Sequence, residues 1–190
     1  MRVNTTCEWI ITHLLFRNWF DPSSSSATGS VMVVHRPAEC GKSVPGSFIF
    51  DTLERGQRTS REITVLFSFS AGDANRRTLN SLLCTFWSQL LEQDNDGILF
   101  PLFEGFMVKA TPPTSDILKS LDEAIKLLSC PIRSIIDGVD ECSDSGHNIH
   151  NCLLDISRKK SNFHVVLLSQ SQAFAPDLLY FQMHLPQLSV

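Results

Sequence analysis

The stretch 31–43, which reads VMVVHRPAECGKS, decides the fold. A short apolar run is followed by a loop and then by Gly41, Lys42 and Ser43. This order predicts a strand, a phosphate-binding loop and a helix start. The backbone N–H groups of such a loop converge on a polyphosphate, and the lysine adds a positive charge. The pattern requires glycine, four residues and then Gly-Lys-Ser or Gly-Lys-Thr, but Arg36 occupies the position of the leading glycine.

A second motif, SIIDGVDE at 134–141, is an apolar run that ends in an aspartate and is followed by two more acids. In a P-loop enzyme the carboxylate at this strand end, here Asp137, holds Mg²⁺, and the loop hydroxyl, here Ser43, binds the same ion. A further acid, Asp140 or Glu141, can polarise the attacking water. Alone, the segment is weak evidence for such a site and is more typical of a strand followed by a polar turn. The phosphate loop upstream favours the metal–nucleotide site.

Short apolar runs alternate with amphipathic segments along the chain. Strands are predicted at 31–34, 63–69, 132–136, 163–168 and 180–185. Helices are predicted at 6–20, after Gly41 as far as Gly56, at 79–91, at 115–129 with a capped start, and at 147–159, whereas 97–113 is predicted to be irregular. This alternation predicts βαβ units and a parallel sheet, with ligands beyond the carboxyl ends of its strands.

We therefore expect an α/β fold: a three-layer P-loop NTPase-like sandwich with a mostly parallel sheet of four to five strands, preceded by an N-terminal helix. Residues 1–29 would form that helix and a serine-rich linker, and residues 30–190 the core, incomplete at its C-terminal end. The composition, 43% hydrophobic and 19% charged, is typical of one globular domain. With a net charge of −4, we expect no nucleic acid and no membrane as partners. No apolar run reaches the roughly 18 residues of a membrane span.

Six cysteines are spread without close CxxC pairs, which predicts free thiols and a cytoplasmic protein. Two of them, Cys84 and Cys130, are expected to be packing residues. A candidate zinc site has four soft ligands close in sequence: Cys142, His147, His150 and Cys152. Most of their spacings match no common zinc finger, so a solvated polar turn is the favoured alternative.

On these motifs the chain resembles the nephrocystin-type NACHT domain of fungal NOD-like receptors, which are signal-transducing P-loop ATPases with several domains (STAND). RPAECGKS resembles the loop GPAGCGKS of that family, and IIDGVDEC resembles its IIDALDEC. TVLFSFSAGD and SLLCTFWSQLLEQ resemble its second strand and next helix, and TCEWI at 6–10 its first helix. These segments follow the order of the family over nearly the whole chain.

The resemblance implies a switch that binds ATP or GTP with Mg²⁺ and that associates with itself or with protein partners. The implied nucleotide-binding residues lie in the phosphate loop: Arg36, Cys40, Gly41, Lys42 and Ser43. The implied metal ligands are Ser43 and Asp137, and the implied catalytic acids are Asp140 and Glu141. Lys42 would hold the β- and γ-phosphates.

Three residues depart from the pattern of the family. Arg36 and Glu39 replace glycines of the loop, and Gln170 replaces an arginine expected after the fourth strand. A non-glycine residue forced into a glycine conformation costs about 1 to 3 kcal/mol. A carboxylate about 6 Å from a phosphate charge costs roughly 3 kcal/mol at an effective dielectric of about 20. We therefore expect weak or lost nucleotide binding and slower hydrolysis. The alternative is a nucleotide-independent interaction fragment or a non-functional remnant of a larger receptor.

Overall fold

The computed structural model describes residues 7–20, 31–35, 44–56, 61–107, 112–144, 146–169 and 181–184. The strands are β1 (Val31–His35), β2 (Ile63–Ser68), β3 (Ile132–Asp137), β4 (Phe163–Ser169) and β5 (Phe181–His184). The helices are α1 (Glu8–Thr12), α2 (Leu14–Phe20), α3 (Val44–Gly56), α4 (Leu79–Gln93), α5 (Phe100–Met107), α6 (Thr114–Leu127) and α7 (Gly146–Lys159). Two short 3-10 turns lie at Ala74–Arg76 and Val139–Glu141.

The strands form one sheet in the order β2-β3-β4-β1-β5, and each neighbouring pair is parallel. Because the strands are parallel, their carboxyl ends lie along one side, which we call the carboxyl edge. After β1 the chain crosses over β4 and β3 and forms β2 at one end of the sheet. After β4 it crosses over β1 and forms β5 at the other end. The strand order therefore reverses at β1, and open α/β sheets bind their ligands at such a point.

Helices cover both faces of the sheet. Successive strand residues point to opposite faces, so Val33 packs in one hydrophobic cluster with α4, α6 and α7. Its neighbour Val34 packs in a second cluster with α1, α2 and α3. This arrangement confirms the expected three-layer sandwich with a parallel sheet.

The predicted continuous helix at 6–20 is wrong, because the chain breaks at His13 into α1 and α2. His13 has an extended backbone, with φ −68° and ψ 136°. Its Nδ1 accepts a hydrogen bond from the backbone N–H of Leu15 at 3.2 Å. His13 thus acts as the N-cap residue of α2, because its side chain accepts a backbone N–H of the first turn that the helix itself leaves without an acceptor.

The segment 97–113 was predicted to be irregular, but it contains α5. Phe103 N donates to Leu99 O at 3.0 Å, and the ring of Phe103 lies 6.1 Å from that of Trp87 in α4. The helix is therefore stabilised by packing on α4. The predicted capping of the next helix is also wrong, because α6 begins at Thr114 and its N-cap residue Pro113 makes no side-chain bond.

A buried ion pair lies under α2. Arg133, whose side chain is 2% exposed, donates from Nε and Nη2 to the Glu62 carboxylate at 3.0 and 3.2 Å. The guanidinium carbon lies 4.4 Å from the ring centre of Phe20 and 5.7 Å from that of Trp19. Trp19 also meets His164 edge to face, at 6.4 Å. Burial, with a smaller contribution from the positive charge of Arg133, lowers the pKa of His164 to about 4.

Five cysteines lie in the described part of the chain, and all five are free thiols, as expected: Cys7, Cys84, Cys130, Cys142 and Cys152. Cys130 packs against the hydrophobic core, whereas Cys84 is exposed, so its predicted packing role is wrong. None of the described helices combines the length and the apolar character needed to cross a bilayer.

Candidate nucleotide-binding site

The candidate site lies at the carboxyl edge, where the first turn of α3 meets the end of β3. Asp137 ends β3 and is 4% exposed. It shares the face of Ile135, which packs toward α3. A Cβ on Gly46 in α3 would lie 3.5 Å from the Asp137 Cβ and 3.6 Å from its Oδ2. The N-terminus of a helix and a carboxylate therefore meet in one place, as the two sequence motifs require.

The predicted phosphate-loop residues, and the departures noted with them, lie outside the described residues: Arg36, Glu39, Cys40, Gly41, Lys42, Ser43 and Gln170. In sequence, residues 36–43 connect the end of β1 to the start of α3. β1 ends at the carboxyl edge, and the first turn of α3 lies beside Asp137 at the same edge. The first N–H groups of a helix have no intrahelical partner, and an anion satisfies them well.

The acidic loop, residues 138–144, begins with a glycine in a conformation that other residues rarely adopt. Gly138 has φ +69° and ψ 36°. A Cβ at this position would lie 3.2 Å from the carbonyl oxygen of Phe69. The N–H of Phe69 donates to the carbonyl oxygen of Asp137 at 2.8 Å. The glycine therefore permits a close approach between this loop and the residue after β2, and the 3-10 turn Val139–Glu141 follows directly.

The two predicted catalytic acids have different partners. Asp140 is exposed, and its Oδ1 accepts a hydrogen bond from Ser169 Oγ, at the end of β4, at 3.2 Å. Glu141 is half-buried, and its Oε2 accepts a hydrogen bond from the backbone N–H of Ala71 at 3.1 Å. Asp140 is therefore held toward β4, the neighbour of β1, whereas Glu141 is held toward the segment after β2.

Sequence reasoning missed a set of bonds that join the acidic loop to the segment 69–78, which connects β2 to α4. The carbonyl oxygen of Arg77 accepts hydrogen bonds from Ser143 N at 2.7 Å, Ser143 Oγ at 2.9 Å and Cys142 Sγ at 3.2 Å. The carboxylate of Asp144 accepts one from Leu79 N, in the first turn of α4, at 2.7 Å. The sequence signals this junction only through the polar composition of both segments, which indicates turns.

The described members of the candidate zinc site make other contacts. Cys142 donates to the Arg77 carbonyl, and both Cys142 and Cys152 pack against the core. Burial raises the pKa of the Cys152 thiol to about 11, which opposes the thiolate form that zinc needs. The side chains of His147 and His150 lie outside the described residues. No group of three or more metal-ligating side chains occurs among the residues that the structure describes.

A cavity of about 620 Å³ opens at the edge of the sheet opposite the carboxyl edge, where β2 and β3 begin. Residues that line it include Arg61, Gln93, Ile98, Leu127 and Cys130. An ion pair between Arg61 and Asp96 stands at this cavity. The cavity is distant from the acidic loop, because the cavity faces the amino ends of the strands. Ligands of parallel sheets bind at the carboxyl ends, so this cavity is not the candidate site.

Comparison with known proteins identifies a family and solved structures of similar fold. Residues 5–170 match the family described as "Nephrocystin 3, N-terminal". The ORC2 protein of Aeropyrum pernix in its ADP form has a TM-score of 0.59 and 18% identity, over 90% of this chain and 46% of that one. The ORC1 protein of Aeropyrum pernix in complex with DNA has a TM-score of 0.55 and 13% identity, over 90% and 44%. A search of curated proteins finds no match.

At these identities the likeness shows the fold alone, and it confirms the expected P-loop NTPase-like architecture. The chain spans less than half the length of either solved structure. One expectation needs correction. Nucleic acid was excluded as a partner on the net charge of −4, and this exclusion is wrong, because the ORC1 protein with the same fold is in complex with DNA.

Proposed function

The chain belongs to the nephrocystin 3 N-terminal family, and from that premise we propose that it is a NACHT-type module that binds ATP or GTP together with Mg²⁺. One observation carries the proposal: the first turn of α3, at Gly46, lies within contact distance of the Asp137 carboxylate. A helix N-terminus favours phosphate, and a carboxylate oxygen beside it favours Mg²⁺. The ADP form of the ORC2 protein, which shares the fold, also supports a nucleotide ligand.

In this proposal each motif has one task. Lys42 holds the β- and γ-phosphates, and Ser43 and Asp137 bind Mg²⁺, which neutralises charge on the phosphates. Asp140 orients the attacking water, because its carboxylate is held by Ser169 on the side of β4. Glu141 already accepts the N–H of Ala71, so its task is to hold the segment after β2.

The proposal includes a weakened phosphate loop. Arg36 and Glu39 stand in place of glycines, and together the conformational and charge costs reduce nucleotide affinity by about a hundredfold or more. Hydrolysis is slower still, because Gln170 cannot supply the positive charge of the arginine expected after β4. The double change Arg36→Gly and Glu39→Gly removes both loop costs while it leaves the acidic loop intact.

Calorimetric titration of the purified chain with Mg-ATP and with Mg-GTP tests the proposal. We expect the wild type to bind more weakly than low micromolar and the double glycine variant to bind about a hundredfold more tightly. Lys42→Ala in the double variant should abolish this binding. Lys119→Ala is the matched control, because it removes an exposed lysine of α6.

The outcomes separate the parts of the proposal. Low-micromolar binding by the wild type would overturn the weakened loop. If neither chain binds a nucleotide, or if Lys42→Ala changes affinity no more than Lys119→Ala does, the module does not bind nucleotide as proposed. A thermal melt gives an independent readout, because a ligand that binds only the folded chain raises its apparent stability in proportion to ln(1 + [L]/Kd).

A further inference from the structure

We propose that two side chains of α4, Gln89 and Gln93, close the outer side of β2 and keep it from pairing with a strand of a second copy of this chain. We call these two side chains the edge cap. β2 lies at one end of the sheet that the structure describes, with β3 on its other side. The backbone N–H and C=O groups along the outer side of an end strand are a template for another chain. The inference does not depend on nucleotide binding.

The backbone groups of β2 alternate in direction. Ile63, the first residue of the strand, donates its N–H to the carbonyl oxygen of Pro131, just before β3, at 3.0 Å. Successive residues of a strand point to opposite sides of it, so the N–H and C=O groups of Thr64 and Leu66 point away from β3. These outward groups need partners from another element.

The edge cap supplies these partners with two matched pairs of hydrogen bonds. At Leu66, Gln89 Oε1 accepts the N–H at 2.8 Å and Gln89 Nε2 donates to the C=O at 2.7 Å. At Thr64, Gln93 makes the same two bonds at 3.1 and 2.8 Å. Gln93 Nε2 also donates to the carbonyl oxygen of Gln89 at 3.1 Å. Each side-chain amide therefore takes the place that a peptide group of a neighbouring strand would occupy.

The geometry of the helix and the strand explains how two glutamines can do this. Residues four apart in an α-helix lie about 6 Å apart along its axis, and residues two apart in a strand lie about 6.6 Å apart. The two elements run in opposite directions, because the later glutamine, Gln93, bonds to the earlier strand residue, Thr64. Side chains four apart on α4 therefore stay beside alternate residues of β2.

The composition of β2 gives its outer side a reason to be closed. The strand reads ITVLFS at 63–68 and contains no charged residue, no proline and no glycine. A segment rich in β-branched and aromatic residues, without charge or proline, pairs readily with a copy of itself. Many end strands are protected from such pairing by a charge or a proline. In β2 the amides of the edge cap provide that protection.

The test compares the double variant Gln89→Leu and Gln93→Leu with the wild type at equal protein concentration, by light scattering after size-exclusion chromatography. Leucine is similar in size but makes no hydrogen bond, so the outward groups of β2 lose their partners. We expect the double variant to have a larger mean mass than the wild type. In the fraction that does not associate, we expect about tenfold faster hydrogen exchange at the N–H groups of Thr64 and Leu66.

Two further variants separate the open strand from other causes of association. Ser88→Leu together with Glu92→Leu is the matched control, because it adds two leucines at exposed positions of the same helix; its mean mass should equal that of the wild type. Leu66→Pro, added to the double variant, removes an outward N–H that strand pairing needs. It should return the mean mass to the wild-type value.

Several results would overturn the edge cap. They are an unchanged mean mass in the double variant, equal association of the control, unchanged exchange at Thr64 and Leu66, and association that Leu66→Pro does not reverse. Circular dichroism checks the folding of every variant. If the double variant does not fold, the single variants Gln89→Leu and Gln93→Leu each open one half of the outer side and undergo the same comparison.

Discussion

We expect Gly138→Ala to destabilise the protein and to shift the acids that follow it. Gly138 has φ +69° and ψ 36°, in the left-handed region that costs an L-residue about 1 to 2 kcal/mol. A new Cβ would lie 3.2 Å from the carbonyl oxygen of Phe69. That carbonyl cannot easily move away, because the N–H of Phe69 is bonded to Asp137 O at 2.8 Å.

The expected size of the effect combines three contributions. Backbone strain costs about 1 to 2 kcal/mol, and overpacking against the Phe69 peptide adds about 1 to 2 kcal/mol. Alanine also restricts the unfolded chain, which returns about 0.4 to 1 kcal/mol. The free energy of unfolding should therefore fall by about 1 to 3.6 kcal/mol, a large share of the roughly 5 to 15 kcal/mol typical of a domain.

Urea unfolding followed by circular dichroism measures this loss, and Gly97→Ala is the matched control. Gly97 has a similar φ of +66°, but a Cβ there would meet nothing within 4 Å. The two variants carry the same backbone strain, so their difference isolates the contact with Phe69. We expect the free energy of unfolding to fall by about 1 to 2 kcal/mol more in Gly138→Ala than in Gly97→Ala. Equal losses would refute the close approach of the acidic loop to the residue after β2.

Two further predictions concern His164 and the buried ion pair between Arg133 and Glu62. Burial lowers the pKa of His164 from 6.5 to about 4, so the unfolded chain takes up this proton first and stability falls as the pH drops from 6.5 toward 4. Between pH 7 and pH 4.5 the free energy of unfolding, measured with urea, should fall by about 2.5 kcal/mol more in the wild type than in His164→Leu. Equal losses in the two proteins would contradict the assignment of this pH dependence to His164. Arg133→Met should lower the free energy of unfolding by about 3 kcal/mol, because it removes the ion-pair partner of Glu62, whose side chain is only 18% exposed. Adding Glu62→Leu should recover most of that loss in a double-mutant cycle, whereas additive losses would show that the pair itself is not responsible.

Most of the strands could be predicted from the sequence because they are short, nearly continuous apolar runs. β1 shows this most clearly, since Val31 to Val34 are all apolar and buried. β3 is also buried along its length and ends in Asp137, although Arg133 and Ser134 interrupt its apolar run. A strand covered on both faces has little choice but an apolar sequence. The position of Asp137 at the carboxyl edge then followed from parallel pairing alone, and the structure places it there.

Two helical features could not be predicted, because local signals and tertiary packing disagree there. Pro101 and Gly105 made the segment that contains α5 look irregular. Proline in a first turn sacrifices no intrahelical bond, and the contact of Phe103 with Trp87 stabilises the helix. At the N-terminus the apolar pattern continues on both sides of His13, but the imidazole of His13 accepts a backbone N–H and starts a second helix there.

The candidate site was predictable in its parts but not in its connections. Spacing in a sequence reveals that acids follow a strand, but not which neighbour each acid will bind. Asp140 bonds to Ser169 and Glu141 to Ala71, partners that lie 29 and 70 positions away. Contacts this distant in sequence depend on the strand order β2-β3-β4, which a single sequence does not specify.

These connections bear on the proposal that the phosphate loop is weakened while the acidic loop is kept. The acidic loop is held by Ala71, Arg77 and Leu79 of the β2 side and by Ser169 of β4. Each of these bonds joins two residues outside 36–43, so we expect the acidic loop to keep these contacts when the phosphate loop changes. Mutations at distant sites usually have additive effects on free energy. If the proposed nucleotide site is correct, the double change Arg36→Gly and Glu39→Gly should therefore restore binding without any change in the acidic loop.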